Sequence, residues 1–214
     1  MPRSENQPGA KPRSFRPSEP VVLGLVGGVA SGKSTVAAFF RAHGLLHIDA
    51  DEHAKAASED PEVLAEVRSA LGETYIVNGS IDRQAVANLV FSDPAAKRQL
   101  EAIIHPRVRT KILASLEGAV AQGRSCLLDV PLLFEAGLWE RCDHIVFVDA
   151  PDATRASRAR ARGWAEDELG RRERSQLAIA EKRQRADAVL DNSGTLAETR
   201  RKVAALLAGM ETGQ

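Results

Sequence analysis

Cysteine is nearly absent: Cys126 and Cys142 are the two in 214 residues. They form no C-x-x-C pair and have no histidine at metal-ligand spacing, so neither a disulfide scaffold nor a zinc module is expected, and both should be reduced thiols. An excess of one charge is also missing, because 29 Lys and Arg balance 29 Asp and Glu. That removes whole-molecule attraction to nucleic acid or to an anionic membrane. Neither is expected as a partner, and any polyanion site must be local. No apolar run approaches the roughly eighteen residues that span a bilayer. Residues 1–20 lack the apolar segment of a secretory signal, so the expected location is the cytoplasm. The same stretch has prolines at 2, 8, 12, 17 and 20, with Arg3, Lys11, Arg13 and Arg16 and little to bury, which reads as a disordered tail. The chain as a whole is 43% hydrophobic, enough for a full core in one domain with an inserted subdomain.

What is present centres on one stretch. Val21 to Val26 is an apolar run that leads into Gly27-Gly28-Val29-Ala30-Ser31-Gly32-Lys33-Ser34-Thr35, a G-x-x-x-x-G-K-[ST] spacing. The glycines permit a turn in which successive N–H groups cradle oxyanions ahead of a helix N-terminus. Lys33 is placed to reach the β- and γ-phosphates of a nucleotide, and Ser34 offers a hydroxyl to Mg²⁺, a hard ion that prefers oxygen. Gly28 to Thr35 is therefore the expected nucleotide-phosphate site.

Downstream, residues 35–43 read as a helix closed by Gly44, and Leu45 to Ile48 as a second strand that delivers Asp49 and Asp51. If the backbone stays extended there, the two carboxylates point to one face. One is expected to cap the next helix and the other to do chemistry. From 52 to 123 no strong strand is visible. Helical patterns run over 61–71, over 82–91 with Asp82 as cap, and from 94 with Ser92 or Asp93 as cap; His105-Pro106 is expected to break or bend the last. Ser125 to Asp129 is a strand ending in a Walker-B-like acid. Pro131 ends it, leaving Leu132, Leu133 and Phe134 either as an apolar substrate wall or as core. His144 to Val148 is a fourth strand and Ala188 to Leu190 a fifth, and a last helix over 195–210 is expected to bury Leu196, Val203, Leu206 and Leu207. Between 155 and 185 ten basic residues face five acidic ones. Arg155, Arg158 and Arg162 share a helical face, with Gly163 as a hinge, as a lid over a phosphoryl group would need.

Strands alternating with helices give an α/β fold: a five-stranded parallel sheet flanked by helices. With the phosphate loop after the first strand and an arginine-rich stretch after the fourth, the chain resembles the nucleoside-monophosphate-kinase type of architecture, which implies that the third strand stands between the first two in space. The expected parts are a core over 21–51, 124–154 and 186–210, a helical insertion over 52–123, and an arginine-rich lid over 155–185. A regulatory GTPase would need an N-K-x-D tetrad, which does not occur. Another small-molecule kinase and a non-catalytic ATP-binding module are the remaining alternatives.

Over nearly all of 21–207 the chain resembles the dephospho-CoA kinases. The matching stretches are Gly24 to Thr35, Ile48-Asp49-Ala50-Asp51, Ile103-Ile104-His105-Pro106, Asp129 to Glu135, Arg174-Ser175-Gln176, and Lys182 with Ala186-Asp187 and Asp191-Asn192. Val26 departs from the usual Thr, and Leu71-Gly72 from the usual Phe-Gly. The resemblance implies a P-loop kinase that moves the γ-phosphoryl of ATP to the ribose 3′-hydroxyl of dephospho-CoA, the last step of coenzyme A biosynthesis. It implies Asp51 as base, Lys33, Arg158 and Arg162 on the phosphates, and Asp51, His105, Asp129 and Leu132 toward the acceptor. It also implies Mg²⁺ at Ser34. A monomer or weak homo-oligomer is expected.

Overall fold

A computed structural model describes residues 19–82, 85–86, 89 and 93–212. Most of the expected tail over 1–20, residues 83, 84, 87, 88, 90 and 91 of the helix expected over 82–91, and Ser92, a candidate cap of the helix from 94, lie outside these. The parallel sheet has five strands: β1 (Val22–Gly27), β2 (Leu46–Asp49), β5 (Cys126–Asp129), β6 (His144–Asp149) and β7 (Ala188–Asp191), in the order β2-β5-β1-β6-β7. The third of these in the chain therefore stands between the first two, as expected. Register sets Leu25 beside Asp129 on one flank of β1 and beside Val146 on the other. β1 is buried along its whole length, which is why it reads as an unbroken apolar run rather than an alternating one.

Helices cover the sheet. α1 (Lys33–Ala42) buries Val36, Ala37 and Phe40 at helical spacing against Leu23, Leu25, Leu127, Val146 and Val148, and Val203 of α8 (Leu196–Thr212) joins the same core. Gly44, at φ +90°, ends α1 in the left-handed conformation that glycine adopts at least cost. Leu206 and Leu207 are partly buried on this core, but Leu196 is 66% exposed, contrary to expectation. The reason is capping. Thr195 Oγ1 accepts the Glu198 N–H at 3.3 Å while Glu198 Oε2 accepts the Thr195 N–H at 2.7 Å, a reciprocal box that starts the helix and leaves Leu196 in an exposed first turn. Cys126 and Cys142 are both buried thiols.

Two compact units are distinguished by their internal contacts: one comprises the described residues up to Ile48 and from Gly118 onward, the other Asp49–Glu117. The second holds α2 (Ala50–Ala57), α3 (Pro61–Leu71) and most of α4 (Pro94–Ala121). Asp60 caps α3 through the Glu62 N–H, with Pro61 at the first helical position, and Asp93 caps α4 through the Ala95 and Ala96 N–H groups. Val63, Leu64, Val67, Ile81 and Val86 form its core, with Leu100, Ile103 and Ile104 packed against them. Two features depart from the sequence reading. A short antiparallel hairpin, β3 (Ile76–Val77) with β4 (Ser80–Ile81), stands where no strong strand was visible. Its turn is Asn78-Gly79, with both φ values positive, the pair that favours a two-residue hairpin turn. α4 also runs unbroken through Pro106, while Arg107 Nη1 donates to the Ile103 carbonyl at 2.9 Å on the turn the proline crosses.

Candidate active site at the phosphate loop

The chain from Gly27 to Ser34 leaves the end of β1, turns, and enters α1. Gly27 and Gly32 serve this turn for different reasons. A Cβ on Gly27 would meet Ser31 Oγ at 2.7 Å and the Val148 carbonyl at 2.8 Å, so this position lacks room; Gly32 has φ +88°, so it needs a left-handed backbone as well. The turn is closed by the Ser31 N–H on the Gly28 carbonyl at 3.1 Å, and α1 starts with the Thr35 and Val36 N–H groups on the Gly32 carbonyl at 3.0 and 3.2 Å. The remaining early N–H groups of α1 and its positive dipole end make this a place for anions.

Lys33 Nζ is paired with Asp129 Oδ1 at the end of β5, and His47 Nε2 lies 3.2 Å from Asp129 Oδ2. Asp129 is 5% exposed. Burial works against its ionisation most strongly, but the hydrogen bond from His47 and the charge of Lys33 outweigh it and hold the carboxyl below the usual carboxylate range. The lysine side chain is thus oriented by an acid on the neighbouring strand, which a fluctuating surface lysine would not be.

The arginines do not act as one row. α5 (Asp152–Ala161) carries Arg155 and Arg158 and ends before Arg162, its C-cap. Arg155 is buried; it is paired with Glu173 of α6 (Glu168–Arg174) and with Asp152, and it donates to the Val29 carbonyl at 3.3 Å. Arg158 joins the loop to β7: Nη1 donates to the Ser31 carbonyl at 2.7 Å and Nη2 to the Asn192 carbonyl at 2.8 Å. The Asn192 side chain adds a second bond, from Nδ2 to the same Ser31 carbonyl at 2.8 Å. Arg162 is exposed, lies 5.6 Å from the Trp164 ring centroid and lines one cleft together with Gln176, Pro131 and the loop from Gly27 to Ser34.

Similarity to known proteins agrees with this geometry. The family model described as dephospho-CoA kinase matches residues 21–198. A dephospho-CoA kinase of Deinococcus radiodurans is 44% identical over 187 residues, which cover 86% of this chain and 90% of the relative; one of Geobacillus kaustophilus is 42% identical, covering 87% and 95%. The chain belongs to the dephospho-CoA kinase family. Among solved structures, a Thermus thermophilus protein is 40% identical with TM-score 0.75, covering 89% of this chain and 97% of its own. The dephospho-CoA kinase of Campylobacter jejuni, 24% identical with TM-score 0.70, shares the fold.

As a dephospho-CoA kinase family member the chain is an ATP-using phosphotransferase, and its other expected site residues fall as follows. Asp49 ends β2 and caps α2: its Oδ1 accepts the Asp51 N–H at 2.8 Å. The backbone therefore turns helical at Ala50 instead of staying extended, and the exposed Asp51 sits in the first turn of α2. His105 is exposed on α4. Leu132 is half-buried, but Leu133 and Phe134 are buried at 0% and 6% exposure, so those two belong to the core and not to a substrate wall. Sequence reasoning gave no role to Asn192, named only within the stretches that carry the resemblance, or to His47. Their contacts, with Ser31 and with Asp129, bridge long stretches of chain, and nothing local marks them.

Proposed function

We propose that this chain transfers the γ-phosphoryl group of ATP to the ribose 3′-hydroxyl of 3′-dephospho-CoA, giving CoA and ADP. The observation that supports it most is the loop: Gly28 to Thr35 presents backbone donors at the start of α1 beside an oriented Lys33. Family membership supports the acceptor's identity. The triphosphate lies along the loop. Lys33 exchanges part of its bond to Asp129 for β- and γ-phosphate oxygens and neutralises charge that grows on them in the transition state. Arg158 holds the loop in shape from behind and Arg162 closes from the cleft wall, excluding water that would hydrolyse ATP.

Asp51, just beyond the end of β2, orients the acceptor hydroxyl and takes its proton. That proton leaves late in a loose phosphoryl-transfer transition state, so the carboxylate acts mainly by positioning. The residues fit Mg²⁺, since Ser34 is exposed in the first turn of α1 and Asp129 ends the neighbouring strand, both hard oxygen donors. Ser34 would hold the ion together with phosphate oxygens, where it neutralises charge on the transferred group. His105, Leu132 and Asp129 take part in binding the acceptor, residues 52–123 are the acceptor-binding insertion, and residues 155–185 are the lid over the phosphates. Among the described residues no helix is long and apolar enough to cross a membrane. A cytoplasmic monomer or weak homo-oligomer acting on these small molecules, without nucleic acid, completes the reading.

The test is a pair of isosteric variants. Asp51→Asn should lower kcat by about 10² to 10⁴ while ATP still binds, and Asp49→Asn, which keeps a capping oxygen, should cost far less. A large kcat loss confined to Asp49→Asn, or an Asp51→Asn protein that no longer binds Mg-ATP, overturns the assignment.

A further inference from the structure

We infer that Gln176 contacts the terminal phosphate of the bound nucleotide and that Lys182 is the residue that positions it. This rests on reading the cleft as the ATP phosphate site. Gln176 lines the same cleft as the loop from Gly27 to Ser34. Lys182, on α7 (Ile179–Gln184), is 2% exposed, and its Nζ donates to Gln176 Oε1 at 2.7 Å. An ammonium has donors only, so the amide oxygen must be the atom that faces it, and the NH₂ group with its two donors is left for the other side. The backbone is pinned on either flank. The Gln176 N–H bonds the Glu173 carbonyl at 3.1 Å, and Glu135 Oε1 accepts the Leu177 N–H at 2.6 Å. An amide fixed at its oxygen and along its backbone, with its NH₂ on a cleft wall, suits an acceptor-only ligand, and ionised phosphate oxygens are such acceptors.

Electrostatics agree on which end of the cleft is involved. Burial holds the Lys182 ammonium below the ordinary lysine range, Glu135 offsets part of this, and the charge of Lys33 adds to it. Lys182 therefore lies within electrostatic reach of Lys33, whose place is at the β- and γ-phosphates. A buried lysine in that position is costly unless its partner matters, and its hydrogen-bond partner is Gln176. Gln176 and Lys182 together thus form a donor in the lining of the cleft, with its orientation built in.

The experiment measures Kd for Mg-ADP and for the non-hydrolysable β,γ-imido analogue of ATP by calorimetry, with melting temperature alongside. Gln176→Glu keeps the shape and gives Lys182 a better partner, but replaces the donor by an anion. It should keep or raise the melting temperature while weakening the triphosphate analogue by roughly 10²-fold and leaving ADP nearly unaffected. Gln176→Leu, the second variant, should lose roughly tenfold in triphosphate affinity by the lost hydrogen bond. Lys182→Met should lose a similar factor, and the double variant Gln176→Leu/Lys182→Met no more than Gln176→Leu alone, because the lysine acts through the glutamine. Triphosphate binding by Gln176→Glu as tight as the parent's, or losses that add in the double variant, would overturn this inference while the phosphate site stands. A parent that binds neither nucleotide would remove both.

Discussion

Asn192→Ala perturbs the loop from a position that does not itself line the cleft. Asn192 is 3% exposed. Its Nδ2 donates to the Ser31 carbonyl at 2.8 Å, and its Oδ1 accepts the Thr199 hydroxyl at 2.8 Å. Truncation removes both bonds but orphans neither partner, since Ser31 keeps Arg158 at 2.7 Å and Thr199 can use the Thr195 carbonyl at 3.2 Å. Two neutral hydrogen bonds at about 1 kcal/mol each, with a small cavity added, give a loss of about 2 to 3 kcal/mol. For a chain of this size each kcal/mol is about 2 to 4 °C of melting temperature, so the transition should fall by about 5 to 10 °C. A second consequence follows at the loop. A Cβ on Gly32 would stand only 2.2 Å from Asn192 Nδ2, so the amide packs directly against the loop backbone and its removal lets the loop leave the binding conformation. Apparent Kd for Mg-ATP then rises in proportion to the lost competent fraction. Thermal melts followed by circular dichroism, with and without Mg-ATP, and calorimetric titration read both effects. A melting temperature equal to the parent's would refute the reasoning. A drop in melting temperature with unchanged ATP affinity would confine Asn192 to the fold.

Lys33→Ala should lower kcat at saturating ATP by about 10² to 10³, the usual loss for one group aimed at transition-state charge; turnover within a few-fold of the parent's would remove the loop as the catalytic site. Because Lys33 also neutralises the buried Asp129, the variant's melting temperature is measured with its kinetics. Asp191 supplies a pH signature. Bonds from the Lys202 ammonium and from the Ser193 side chain and backbone hold its carboxyl down to about 2. A carboxyl lowered on folding contributes stability that is fully present above its unfolded value of 3.8 and is lost as pH falls through the folded value. The gap in melting temperature between parent and Asp191→Asn should therefore shrink from about pH 5 to about pH 2, and also with added salt, since the pair is exposed. A gap that widens toward acid would contradict the assignment.

Much of this molecule is legible in its sequence because the determining signals are local. The loop spacing, the apolar run of β1, the helical pattern over 61–71, and Gly44 after α1 each act within a few residues, and each stands where expected. The strand order followed from the P-loop type of architecture. The misreadings have separate causes. Asn78-Gly79 is a strong turn signal, but strands of two residues leave no periodicity to notice. Leu196 fits an apolar stripe, yet the Thr195–Glu198 box places it at an exposed end. Pro106 is tolerated inside α4. The bracing of Ser31 by Asn192, 161 positions apart, and the burial of Lys182 against Gln176 depend on tertiary packing, and a turn motif or a basic stretch does not reveal them.

The most direct test incubates the purified chain with Mg-ATP and 3′-dephospho-CoA and follows nucleotide and acceptor together by liquid chromatography and mass spectrometry. One CoA should appear for each ADP, with the new phosphate on the ribose 3′-oxygen, and both products should be lost together in Lys33→Ala and Asp51→Asn. ADP released without CoA, or a phosphorylated acceptor other than dephospho-CoA formed in preference to it, would contradict the account.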